Sequence, residues 1–393
     1  MELTNKQEQA LKIAVSRYYD GEPYTCIAGY AGTGKSTLVQ FIIAALGLDP
    51  DAVKYVAYTG KAAQVLRNKG NKNAVTAHRL LYQSFPRGDG TFMHIPRESI
   101  EGNPPLIVVD EISMLPAPMW QLLLRHCIPI LALGDPGQLP PVAAEDNGVL
   151  RQPHIFLDQV MRQAQDSEII RLTMDIREGR GINFQHGNEV RVVGPEELAH
   201  PGFLLWADQI ICAKNATRHY LNAVMRKKLL DIDESQFEPV VGDKLICLRN
   251  NWECINNTGD ALVNGLTGTC EGISWTRANP YLKKTPYIDF HPDIEESASF
   301  THIMADYNVF EHHTSTVNEY YTKRKKIPQV YHPNEFDYGY AITCHKSQGS
   351  EFDKVIVLEE FLKSESREDH QRWLYTAATR ASLKLIMVKD YHM

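Results

Sequence analysis

Between residues 24 and about 142 the chain alternates short apolar runs with longer stretches whose apolar residues recur at helical spacing. The runs are Tyr24–Ala28, Val53–Tyr58, Leu106–Val109 and Ile128–Leu133, and they hold few polar positions. A strand that is apolar on both faces needs cover on both, so the pattern predicts a parallel sheet between two layers of helices. Polar residues follow directly on these runs, at the strand ends where such sheets place their ligands. The alternation breaks between Arg79 and Pro105. There Ser84-Phe85-Pro86-Arg87-Gly88-Asp89-Gly90-Thr91-Phe92 sets an aromatic residue on each side of a turn-rich centre and predicts a hairpin or protrusion.

A second α/β pattern is expected to open near His154-Ile155-Phe156-Leu157, to include Gln209–Ala213, and to finish with Asp353–Leu358 and Leu383–Val388. Helical periodicity is lost from Val240 to about Gly339, where Gly242–Leu248, Asn264–Cys270 and Pro286–Phe290 are separated by turn residues. These runs predict a small β-barrel inserted into the second α/β pattern. A chain of 393 residues also exceeds what one core fills. The expected organisation is a first domain over 1–150 with its protrusion at about 79–105, a second over 151–239 and 340–393, and a β insert over 240–339.

Composition narrows the picture only a little. A net charge of −7 argues against a surface coated in positive charge, so any nucleic-acid contact has to be local. Basic clusters do occur, at Arg67, Lys69, Lys72 and Arg79, at Arg226-Lys227-Lys228, at Lys283-Lys284 and at Lys323-Arg324-Lys325-Lys326; each alone reads as a solvated face before a binding site. The seven cysteines form no C-x-x-C pair, which leaves neither a disulfide framework nor a zinc site indicated. No apolar signal core or bilayer-length run is present, and a cytoplasmic protein with no membrane partner is expected.

Chemistry enters at Gly29-Tyr30-Ala31-Gly32-Thr33-Gly34-Lys35-Ser36, which fits the phosphate-loop pattern G-x-x-x-x-G-K-[ST] between a strand-like and a helix-like run. Backbone N–H groups of the loop and of the helix expected from Thr37 to Leu46 then face phosphates. Lys35 is placed to reach the β- and γ-phosphates of a nucleoside triphosphate and Ser36 to ligate Mg²⁺. The run Leu106–Val109 ends in Asp110 and Glu111, either two solvated acids or a divided pair in which Asp110 holds Mg²⁺ and Glu111 polarises water. A stiff turn, Gly134-Asp135-Pro136-Gly137-Gln138, presents Gln138 either as a γ-phosphate sensor or as a surface amide. Arg162 and Arg380, both in the second pattern, are either guanidiniums for the γ-phosphate or structural ion-pair residues.

In their order these segments resemble superfamily 1 DNA helicases of the branch containing RecD and the phage protein Dda, over nearly the whole chain. Leu3-Thr4-Asn5-Lys6-Gln7 resembles the Q motif, which implies that Gln7 reads adenine. Ala57-Tyr58-Thr59-Gly60-Lys61-Ala62-Ala63 resembles motif Ia, and Thr76-Ala77-His78 resembles the element after it. Asp110–Met114 matches motif II, Gly134–Gln138 motif III, and Arg162 falls in motif IV. Thr343-Cys344-His345-Lys346-Ser347-Gln348-Gly349-Ser350-Glu351-Phe352 resembles motif V, with Gly349 and Glu351 expected on the nucleotide side, and Arg380 sits in motif VI.

The resemblance implies an α/β fold of two RecA-like P-loop domains, with a strand-splitting pin in the first and an SH3-like barrel in the second. It implies ATP hydrolysis with Mg²⁺, 5′-to-3′ movement and the unwinding of forked duplex DNA. Single-stranded DNA is expected on Thr59, Gly60, Lys61, Thr76, His78, Thr343, His345 and Lys346, with Phe85 and Phe92 in the protrusion. For His78 and His345 a structural role stays open, as does packing for Phe85 and Phe92. A monomer working with single-strand-binding or replication proteins is the expected setting. Two other readings stay open: a translocase that strips proteins without efficient unwinding, and a nucleotide-switched nucleic-acid-binding module.

Overall fold

The computed structural model describes residues 3–86, 92–141, 145–161, 166–183, 185–233, 235–276, 284–294, 297–315, 332–362 and 366–391. The chain forms two compact units, one of residues 1–83, 96–213 and 347–393, the other of 84–95 and 214–346.

The first unit contains two sheets. One is parallel throughout, in the order Val75–Thr76, Lys54–Ala57, Ile107–Val109, Ile130–Gly134, Tyr24–Gly29, Ile155–Leu157. Alternate residues of each strand enter opposite cores, which is why its strands hold so few polar positions. Cys26, Val56, Ile107, Val109 and Ala132 pack on one side with Trp120 and Leu123. Ile27, Tyr55, Val108, Leu131 and Leu133 pack on the other with Leu38, Val39, Ile42 and Ile43 of helix Lys35–Ala45. In the second sheet Gln209–Cys212, Phe352–Leu358, Ala381–Val388 and Val190–Val193 run parallel in that order, and Gln185–His186 adds an antiparallel edge.

The strand Ile155–Leu157 corrects the expected boundary at 150/151. It pairs with Tyr24–Gly29, Ile27 opposite Ile155, and completes the edge of the first sheet rather than opening the second. A three-residue apolar run has no periodicity to say which sheet it joins; that is set by the free edge available when the chain folds.

In the second unit an antiparallel sheet has the order Phe300–Met304, Thr285–Pro292, Thr267–Thr276, Lys244–Cys247, Phe336–Tyr338. Helix Asn215–Leu230, expected with the second α/β domain, belongs to this unit. Its Arg226 is the reason: the guanidinium donates to Asp243 Oδ1 at 2.8 Å and Oδ2 at 3.0 Å, and to the carbonyls of Gln236 and Glu238 at 2.6 and 2.7 Å. It also lies 4.1 Å from the centre of the Tyr338 ring. The expected protrusion is a two-stranded hairpin of Tyr82–Pro86 and Phe92–Pro96.

Candidate nucleotide-hydrolysis site

Four strands of the first sheet end on one edge, and the residues after them build the site. After Tyr24–Gly29 comes the phosphate loop, whose Gly32 and Gly34 have φ of +74° and +76°, the left-handed region that glycine reaches without strain. A Cβ on Gly29 would lie 2.7 Å from Thr33 Oγ1, and one on Gly34 would lie 2.7 Å from Gln7 Nε2, so the loop is wound too closely for side chains at either position. Lys35 donates to the carbonyls of Gly29 at 2.6 Å and Tyr30 at 3.0 Å, which holds its ammonium over the loop. Ser36 is exposed on the first turn of the following helix and Thr37 half-buried.

Gln7 is 1% exposed. Its Oε1 accepts from Thr4 N at 3.0 Å in the capping box of helix Asn5–Tyr19, and its Nε2 donates to the Thr33 carbonyl at 3.2 Å. Gln7 therefore fastens the first helix to the loop. Met161 N donates to the Gly32 carbonyl at 2.9 Å, from the strand-end segment that leads to Arg162; Arg162 itself lies outside the described residues.

The strand Ile107–Val109 delivers Asp110 and Glu111. Asp110 Oδ1 accepts from Glu111 N at 2.9 Å. Glu111 has φ +50°, a strained conformation for a residue with a Cβ, costing on the order of 1–3 kcal/mol. Burial raises the pKa of both carboxyls, and Arg380 pulls Glu111 part of the way back. Glu111 Oε2 and Gln138 Oε1 are buried and accept no hydrogen bond. Gly349, with φ +73°, keeps the space beside that oxygen: a Cβ there would stand 3.3 Å from it. Glu351 instead lies exposed, 4.0 Å from Lys69.

Across from these acids, helix Arg367–Ala378, packed on the second sheet, is followed two residues on by Arg380. The arginine is 5% exposed, donates to the carbonyls of Thr376 and Ser350 at 3.0 and 3.2 Å, and brings Nη1 within 3.7 Å of Glu111 Oε1. Lys35, Asp110, Glu111, Asp135 and Arg380 thus share one electrostatic neighbourhood. A hydroxyl and a carboxylate, as Ser36 and Asp110 offer, are hard-oxygen donors of the kind that suits Mg²⁺.

The expected DNA residues are placed less uniformly. Thr59 caps helix Gly60–Asn68, accepting from Ala62 N at 3.2 Å, and Thr76 caps helix Ala77–Leu81, accepting from Arg79 N at 3.2 Å. Lys61 is 8% exposed with its ammonium 5.0 Å from the centre of the Phe352 ring, not out in solvent. His78 is exposed and flanked by Tyr58 and Tyr82, with ring centres 6.1 and 5.9 Å away. In the second unit Thr343 is half-buried, His345 is exposed, and Lys346 donates to Asn264 Oδ1 at 2.8 Å. Phe85 is 38% exposed, and the side chain of Phe92 lies outside the described residues.

Sequence reasoning passed over Tyr58, Tyr82, Arg177 and Tyr375. Arg177 lies 3.7 Å from the centre of the Tyr30 ring, next to the loop, and no pattern in the chain signals that pairing. Tyr375 had a signal: it opens the segment Tyr375–Ala381 that carries Arg380, five positions before it.

A glycine-wound loop at a parallel strand end, an acid pair on the neighbouring motif and an arginine beside a second, mostly parallel sheet form the arrangement of a P-loop nucleotide-binding fold. An AAA domain family model matches residues 2–193, and a UvrD-like helicase C-terminal domain model matches residues 338–388. Both models and the relatives that follow make the chain similar to superfamily 1 helicases of the RecD/Dda type. It is 37% identical over 396 residues to the ATP-dependent RecD2 DNA helicase of Deinococcus radiodurans, covering 92% of this chain and 46% of that one. To the ATP-dependent DNA helicase Dda of phage T4 it is 24% identical over 272 residues, 62% of this chain and 61% of the relative. It therefore spans about half to three-fifths of these two relatives. The fold is similar to a Bacteroides Pif1 helicase solved with ADP-AlF3 and ssDNA, with a TM-score of 0.56 at 17% identity, covering 100% of this chain and 94% of that one. No helix among the described residues is long and apolar enough to cross a membrane.

Proposed function

We propose that this chain is an ATP-dependent DNA helicase that moves 5′-to-3′ on single-stranded DNA and unwinds forked duplex. One observation carries the reading. Arg380 reaches from one sheet to Glu111 on the other, while Glu111 Oε2 and Gln138 Oε1 have acceptor capacity to spare. A buried oxygen without a partner costs free energy unless the reaction supplies one, here the attacking water and the γ-phosphate's surroundings.

In this reading Glu111 accepts a hydrogen bond from the attacking water and Gln138 senses the γ-phosphate. Lys35, Arg380 and Arg162 offset the charge that spreads over the phosphoryl oxygens. Ser36 and Asp110 would hold Mg²⁺, which when bound would offset negative charge on the phosphates. Gln7 reads the adenine from its place against the loop. Thr59, Gly60, Thr343 and His345 contact the strand's phosphates, and the rings of Tyr58, His78 and Tyr82 support its bases. The hairpin carrying Phe85 serves as the pin and the antiparallel sheet of the second unit as the SH3-like insert. The helicases named above support the activity, and single-strand-binding proteins are the expected partners of a monomeric motor.

Lys35→Ala is expected to lower DNA-stimulated ATP hydrolysis by at least about a hundredfold; hydrolysis that survived it would place the reaction elsewhere. Duplexes with a single 5′ or 3′ tail then fix direction. Unwinding from the 5′ tail alone is expected, and unwinding from the 3′ tail alone would reverse the polarity. Hydrolysis and movement without strand separation from either tail would leave a translocase.

A further inference from the structure

We propose that Tyr375 is a positioning residue for hydrolysis, fixing the phosphate loop and the turn that carries Gln138 in register with Arg380. The inference rests on the reading of the site as an ATP-hydrolysing motor.

Tyr375 comes from helix Arg367–Ala378, on the second sheet, and is 2% exposed. Its hydroxyl donates to Asp135 Oδ2 at 2.7 Å and accepts from the backbone N–H of Ala31 at 2.9 Å. One oxygen thus joins an amide of the phosphate loop to the acid of the neighbouring turn. Asp135 passes the constraint on, since its Oδ1 accepts from Gly137 N at 2.9 Å, one residue before Gln138. Glycine at 137 makes the approach feasible: a Cβ there would stand 3.0 Å from Tyr375 Cε1. The next helix residue, Thr376, accepts from Leu139 N at 3.0 Å, so the turn is gripped on both sides of Gln138. Thr376 also accepts from Arg380 Nε, which ties the same grip to the guanidinium.

Burial and Asp135 both hold the phenol protonated, as a donor to a carboxylate requires. A hydrogen bond to a charged partner in a site of low dielectric is stronger than a neutral one. If the helix shifts relative to the first sheet, Tyr375 loses the loop amide and the acid together. Loop, sensor turn and arginine are therefore held in place or released as a set, which is what a hydrolysis step gated by domain position requires.

The test uses the full chain with ATP and a saturating single-stranded oligonucleotide, comparing Tyr375→Phe, Asp135→Asn and the double variant. Tyr375→Phe keeps the ring in its slot and removes only the bridging oxygen. The expected result is a kcat lower by about tenfold with KM for ATP within about twofold, and a double variant no worse than the poorer single one. Unchanged kcat in Tyr375→Phe overturns the proposal, as do losses that multiply in the double variant. So does a loss of kcat that disappears on cooling in step with a lowered melting temperature. Absence of DNA-stimulated hydrolysis in the unsubstituted chain would instead overturn the reading of the site as a motor.

Discussion

Two buried polar clusters in this protein use similar side chains to opposite ends. In the second unit Arg226 has its guanidinium bonded to both oxygens of Asp243 and to two backbone carbonyls, and Asp243 is fully buried. In the first unit Arg380 comes only to 3.7 Å of Glu111, whose Oε2 accepts no bond, in a backbone conformation that strains it. The first arrangement is complete and holds a helix to a sheet. The second is left incomplete, and it lies where strand ends from one sheet meet a helix end from another. Full satisfaction marks a strut, and capacity held in reserve marks a site that a reacting molecule completes.

Substituting each cluster separates the two. Glu111→Gln is expected to slow hydrolysis by roughly 10²–10⁴-fold. Its denaturant midpoint should stay unchanged or rise, because an amide costs less to bury than a carboxylate. A lower midpoint with activity retained would make Glu111 a strut as well. Arg226→Ala is expected to cost about 3–5 kcal/mol in chemical denaturation, since it strands Asp243 as an uncompensated buried charge. A cost under about 1 kcal/mol would mean that the network is not what holds the helix.

A smaller effect tests the second unit by pH. His219 and His313 stack with ring centres 3.3 Å apart, beside Asp337 and Arg218. Burial, then Arg218 and His313, pushes His219 from 6.5 down to about 4. The fold therefore holds His219 neutral while the unfolded chain takes up a proton near 6.5. Between those values the unfolded state binds more protons, so stability falls as pH falls. Melting temperatures from pH 7 to 4 should drop less steeply in His219→Gln than in the unsubstituted chain; parallel slopes would remove His219 from the acid response.

Most of the first sheet was legible in the sequence, because strands buried on both faces appear as uninterrupted apolar runs. Lys35, Glu111 and Gln138 were legible for a related reason: each follows directly on such a run or its turn, so chain position alone puts them at the ligand edge. The strand Ile155–Leu157 and helix Asn215–Leu230 were assigned to the wrong bodies, since their membership depends on an edge pairing and on a salt bridge to Asp243. Lys61 was expected against the DNA strand and lies buried with its ammonium over the Phe352 ring, and a cation's surroundings are not written in its own neighbours. Tyr375 stands five positions before an arginine already singled out, yet nothing along the chain told that its hydroxyl meets Ala31.

The sequence by itself determined that the chain winds a phosphate loop between a buried strand and a helix, and that acids and a glutamine follow on adjacent strands. Those are local matters of spacing, backbone freedom and residue type. Tertiary structure alone decided which oxygens stay unpartnered, which arginine serves a strut and which reaches across to an acid, and where one tyrosine hydroxyl joins two loops. Partner geometry is fixed only when segments hundreds of residues apart are packed together, and burial sets the energetic weight of every polar group that the packing leaves short.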